Sequence, residues 1–243
     1  MLLILGAFFM KDIFDIIFQF ENLSIVFEII SFSISVYYFK RYRQHYLKYL
    51  SLFLILTISV EIIGFILMDI FKKGNLNRTL YNNYLTIEFC FYLFLIKNIL
   101  RAKSVKHFLP WIIRVYFSMG FINNILLQGE YGSFSSITYS LGCFFVIGFL
   151  LYYFYELMLY PSSEQLIRQP AFWICSGLLF FYTSTFTIFG LTNFVTNLSD
   201  NTYNYIGTFI TITNIVLYSM FSIAFICQPP AQKSFSLLSL EAS

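Results

Sequence analysis

Apolar residues fall into long runs separated by short polar breaks. A helix that crosses a bilayer needs about 20 mostly apolar residues. Seven runs meet that length, at approximately 22–40, 47–71, 80–101, 107–128, 134–160, 171–195 and 203–227. The breaks between them read KRYRQHYLK, KKGNLNR, RAKSVK, QGEYGS, PSSEQLIRQ and TNLSDNT. None is long enough to fold alone. The pattern predicts an all-α polytopic membrane helix bundle of seven transmembrane helices over 22–227, with a short cytoplasmic tail at 228–243.

Prolines punctuate the same boundaries. Pro110 and Pro170 sit where the fourth and sixth runs begin, a position that tolerates a missing N–H. Pro161 follows the fifth run, and Pro229 and Pro230 follow the seventh. Gly64, Gly120, Gly148, Gly177 and Gly190 are scattered singly. The broken helices of many secondary transporters would need a denser Pro or Gly signal. Residues 1–20 place Lys11, Asp12, Asp15 and Gln19 on one helical face, with Phe and Ile opposite. That segment is expected to be an interfacial helix on the outer surface, or an extension of the first span. It lacks the basic start and small-residue cleavage site of a signal peptide.

Charge sets the orientation. The first, third and fifth breaks and the tail hold Lys40, Arg41, Arg43, Lys48, Arg101, Lys103, Lys106, Arg168 and Lys233. The second holds Lys72, Lys73 and Arg78, and the fourth and sixth hold no Lys or Arg. The positive-inside rule then puts the N-terminus outside and the C-terminus inside.

Composition strengthens the membrane assignment. Of 243 residues, 58% are hydrophobic and 11% charged, against about 25% charged in a soluble domain. A net charge of +3 is too small to point to nucleic acid. The cysteines Cys90, Cys143, Cys175 and Cys227 lie in apolar runs without metal-ligand spacing and read as small buried hydrophobes. Sequons at Asn22, Asn77 and Asn197 fall on the predicted outer side, at a number expected by chance. Tyrosines cluster near span ends, including Tyr42 and Tyr46, Tyr81 and Tyr84, Tyr152 and Tyr153. They read mainly as an interfacial belt.

Candidate chemistry lies in the acids. A charge at the bilayer centre costs about 2.5–3.5 kcal/mol on insertion scales. At about 1.5 Å per residue, Glu28 lies roughly 9 Å below the outer surface, Glu88 roughly 12 Å and Glu61 roughly 15 Å. Asn123 lies in the outer half of the fourth run and Asn214 near the middle of the seventh. With no cation expected at that depth, these acids must share hydrogen bonds or protons with Asn or with one another. Glu28, Glu61, Glu88, Asn123 and Asn214 thus define a candidate pocket, open to the outside, for a cationic or hydrogen-bonding ligand or a proton. The competing reading is interhelical hydrogen bonding that only fixes the bundle. Glu156, near the inner end of the fifth run, is expected to pair with Arg168 or Lys233. His45 and His107 are expected to face headgroups.

No H-E-x-x-H, G-x-S-x-G or Walker pattern is present. Neither enzymatic activity nor a cofactor is expected, and no metal site either. Three stretches, YNNYLTIEF, FWICSGLLFFYTSTF and NIVLYSMFSIAFIC, together resemble an uncharacterised family of short multi-pass integral membrane proteins of Bacteroidota bacteria. The resemblance implies a cell inner-membrane address and places Glu88 in a recurring Glu-Phe pair. It brings no activity with it. Three roles follow as expectations: a receptor-like or sensory bundle signalling to a separate membrane or cytoplasmic protein, a transporter or proton-coupled carrier, or a non-catalytic accessory subunit.

Overall fold

The computed structural model describes residues 23–42, 44–124, 135–160, 165–191 and 200–227, and among them only helices and connecting turns occur. The expected interfacial helix at 1–20 and the tail at 228–243 lie outside the described residues. Seven α-helices follow one another: α1 Leu23–Tyr38, α2 His45–Phe65, α3 Gly74–Ile99, α4 Lys103–Ile122, α5 Ser136–Leu159, α6 Pro170–Leu191 and α7 Asp200–Ile226. Each overlaps one predicted run; α3 and α4 start earlier than predicted, and α2 ends at Phe65 with a π-helical turn, Ile66–Ile70, completing its run.

Five segments are long and apolar enough to cross a membrane: Leu23–Arg41, His45–Met68, Ser136–Leu159, Pro170–Phe189 and Tyr205–Ile226. They mark the chain as a membrane protein. α3 and α4 are long enough, at 26 and 20 residues, but less apolar. For α3 the packing supplies the reason. It contacts α2, α4 and α5 together, and Phe89, Leu93, Leu95 and Ile96 on it have no accessible surface. A helix wrapped by protein can carry polar groups that find protein partners rather than lipid.

The packing order closes a ring. α1 packs on α2, α2 on α3, α3 on α5, α5 on α6, α6 on α7, and α7 back on α1. α4 lies outside this ring against α3, touching α5 only lightly. Its outer face is accordingly exposed, with Phe108, Trp111, Val115 and Phe121 all more than half accessible. Close backbone approach to α3 depends on two glycines. A Cβ at Gly142 of α5 would lie 2.5 Å from the Phe89 ring, and one at Gly120 of α4 would lie 2.6 Å from the Thr86 side chain.

α4 begins earlier than the apolar pattern predicts. That pattern puts Pro110 at the helix start, whereas Pro110 lies inside the helix, where its ring leaves the Lys106 carbonyl without its usual intrahelical donor. The start is fixed by a distant side chain. Glu156 of α5 is buried, and its two carboxyl oxygens accept the backbone N–H groups of Arg101 at 2.8 Å and Ala102 at 2.7 Å. A carboxylate on the free N–H groups of a helix start satisfies them and complements the helix dipole. Glu156 thus acts as a helix cap rather than in the ion pair expected with Arg168, and Lys233, the other expected partner, lies outside the described residues. Pro170 does occupy the first position of α6, as expected.

Candidate functional site

α3 presents Tyr81, Tyr84, Glu88 and Tyr92 at spacings of three and four residues, which puts them along one helical face. That face looks toward α1, α2, α6 and α7. Tyr84 donates from its hydroxyl to Thr57 Oγ1 of α2 at 2.9 Å, and Tyr81 donates to Glu61 Oε2 at 2.8 Å. Gly64, one turn beyond Glu61, makes room for this contact, because a Cβ there would lie 2.7 Å from the Tyr81 hydroxyl oxygen.

Glu28 projects from α1 and is 2% exposed. It lies within electrostatic reach of both Glu61 and Glu88, and its carboxyl is approached by the Tyr218 hydroxyl of α7. Glu88 is half-buried on α3. Tyr92 and Tyr182 flank it, both nearly inaccessible. Beyond Tyr182, the Tyr139 and Thr185 hydroxyls are 2.6 Å apart. The three glutamates predicted from the sequence, from α1, α2 and α3, thus come within electrostatic reach of one another.

Two physical features distinguish this cluster from a saturated hydrogen-bond network. Among the described residues, no basic side chain contributes to the electrostatic surroundings of Glu28, Glu61 or Glu88. Several buried polar atoms also lack partners: Glu28 Oε1, Ser31 Oγ one turn along α1, Asn77 Oδ1 beside Gly64, and the Tyr182 hydroxyl, which points toward Glu88 without reaching hydrogen-bond geometry. Each such atom costs roughly 1–3 kcal/mol when left unmade.

Of the predicted asparagines, Asn123 lies away from the glutamates. Asn123 donates from Nδ2 to Ser135 Oγ at 2.7 Å and Thr138 Oγ1 at 2.8 Å, tying α4 to α5. Its neighbour Asn124 donates to the Asn82 carbonyl at 3.1 Å and to Thr86 Oγ1 at 3.2 Å. These contacts use a face of α3 turned away from Glu88. They are interhelical bonding of the kind small and polar residues provide in membranes. Asn214 donates to the Ile210 carbonyl of its own helix at 3.1 Å and stands one turn before Tyr218.

The tyrosines are the group that sequence reasoning misses. Tyr81 and Tyr84 read as an interfacial belt, and nothing in the apolar pattern singles out Tyr92, Tyr182 or Tyr218. Tyr84, Tyr92, Tyr182 and Tyr218 are all buried. The spacing of Tyr84, Glu88 and Tyr92 is the signal that could have found them. The cysteines are free, with Cys143 and Cys175 buried. No cluster of His, Cys, Asp or Glu among the described residues could hold a metal ion. Compared with protein-family models, curated proteins and solved structures, the chain shows no match.

Proposed function

We propose that this chain is a receptor-like, seven-span membrane protein, with its N-terminus outside and its C-terminus inside a bacterial inner membrane. Its outer-half pocket, built on Glu28, Glu61 and Glu88, takes a small organic cation. Occupancy is passed to a separate partner. The observation that carries this reading is the convergence of three acids without a counter-cation around the unpartnered Glu28 Oε1 and Tyr182 hydroxyl. A primary ammonium suits it best, because it supplies three donors and one positive charge. The surrounding tyrosine rings add cation–π attraction.

The binding test uses purified protein and a series of alkylamines. Millimolar amine is expected to raise the midpoint of thermal unfolding, since a ligand that binds only the folded state stabilises it by mass action. Glu88→Gln and Glu28→Gln should each weaken the amine response by about tenfold, the loss of one charge-assisted hydrogen bond. An identical response in both variants would remove the glutamates from the site.

The direction of access has its own test. In a protein with its four cysteines replaced, Glu61→Cys, Glu88→Cys and Asn214→Cys are labelled by a membrane-impermeant thiol reagent. The receptor reading expects labelling from the outside of intact cells only. Labelling from outside and also in inverted vesicles would favour the carrier. No labelling from either side would make the cluster a dry structural knot.

A further inference from the structure

The opposite end of the bundle holds a second polar site. A cleft of about 260 Å³ opens where α2, α4 and α6 begin and α3 and α5 end. Gln44, Tyr46, Arg101, Tyr153, Glu156 and Gln169 line it. The Glu156 carboxyl is already committed to the α4 backbone, and Arg101 Nη1 donates to the Tyr160 carbonyl at 3.1 Å. That single bond leaves most of the guanidinium donors free for another acceptor. Two buried polar atoms in the cleft wall lack partners, Gln44 Oε1 and the Tyr153 hydroxyl. Tyr153 is only 6% exposed, so water from outside does not satisfy it freely.

The chemistry of the wall defines its guest. Arg101 calls for an anion, and guanidinium matches phosphate oxygens in geometry. Gln44 Oε1 can only accept, so the same guest must also carry a donor. The Tyr153 hydroxyl serves either part. The cleft lies at the helix ends, and Lys48, Lys103, Lys106 and Arg168 belong to the same end of the bundle. Clustered basic residues at such ends attract phospholipid headgroups. We propose that this cleft binds a phosphoester bearing a terminal hydrogen-bond donor. The phosphate sits on Arg101, and an ammonium or hydroxyl group sits on Gln44 and Tyr153. Phosphoethanolamine and phosphoglycerol satisfy both requirements. Phosphocholine satisfies only the first, because its quaternary ammonium has no N–H.

The test measures thermal unfolding of the full chain in detergent, titrated with short-chain lipids that differ only in headgroup. Ethanolamine or glycerol headgroups are expected to stabilise the protein at concentrations about tenfold below those needed with choline. Tyr153→Phe removes one hydroxyl at nearly constant shape and should erase much of that headgroup preference. Arg101→Gln should weaken the response to all three lipids. O-phosphoethanolamine and glycerol phosphate, added alone, separate the two sources: stabilisation by the free phosphoester identifies a soluble ligand, and stabilisation only by the lipid identifies a membrane headgroup. Equal stabilisation by all three lipids, or an unchanged preference in Tyr153→Phe, would overturn the proposal.

Discussion

Replacing Glu156 with leucine is expected to destabilise the bundle by about 2–4 kcal/mol, among the largest effects of any single polar substitution in this chain. The carboxyl holds two backbone N–H groups, those of Arg101 and Ala102. Leucine leaves both without a partner at the point where α4 starts. Hydrogen bonds to a charged group are worth about 1.5–3 kcal/mol each, and orphaned buried donors carry their full desolvation cost. Glu156→Gln keeps one acceptor oxygen and should lose roughly half as much. A solvent-exposed ion pair, the reading that charge patterning favours, would predict under about 1 kcal/mol for either change. Thermal unfolding of the two variants in detergent separates these cases. Amide exchange localises the effect: the first turn of α4 should lose protection before the rest of the bundle. Protection unchanged in that turn would mean that Glu156 does not set the helix start.

The cap illustrates what a sequence of this kind reveals and what it withholds. Seven apolar runs are legible because each is long and each is bounded by charge, proline or turn residues. The position of the start of α4 is not, since it depends on a carboxyl 55 residues away in the chain from Arg101. Read locally, Pro110 is the best available marker, and it misplaces the start by more than a turn. The glutamates are legible for an energetic reason: an acid in an apolar run is costly enough to demand an explanation. Their partners are harder to see. An aromatic residue near a span end suits both a headgroup layer and a packed core, and tyrosine does so especially. Helical spacing resolves Tyr84 and Tyr92 in favour of the Glu88 face. Tyr182 and Tyr218 reach the same place from α6 and α7, which only the closure of the ring reveals. Asn123 has the right depth but the wrong direction, because its helix lies outside the ring and its donors are taken by Ser135 and Thr138.

Gly142→Ala is the second large effect, and it links packing to the candidate site. A Cβ at Gly142 would lie 2.5 Å and 2.6 Å from Phe89 ring atoms and 2.7 Å from the Tyr116 hydroxyl. Phe89 cannot yield easily. It has no accessible surface and is hemmed by Tyr116, Tyr139 and Tyr182 at ring-centroid distances of 5.9, 5.5 and 5.0 Å. Overpacking of this kind costs about 1–3 kcal/mol, which exceeds the roughly 0.5–1 kcal/mol that alanine gains over glycine in a helix. At Gly148, on the same helix, an added methyl would meet nothing within 4 Å, so Gly148→Ala should be neutral or slightly stabilising. The pair controls for helix propensity, because the two substitutions differ only in what the new methyl meets. Relief at Gly142 must come from movement of α5 or of Phe89, and Phe89 leans on the Tyr182 ring beside Glu88. Gly142→Ala should therefore also weaken the amine response, although its new methyl meets Phe89 and Tyr116 and none of the three glutamates. A destabilised Gly142→Ala protein with an unaltered amine response would mean that the ring around Glu88 tolerates displacement of its support. Equal stability of the Gly142→Ala and Gly148→Ala proteins would mean that α5 and α3 do not approach this closely.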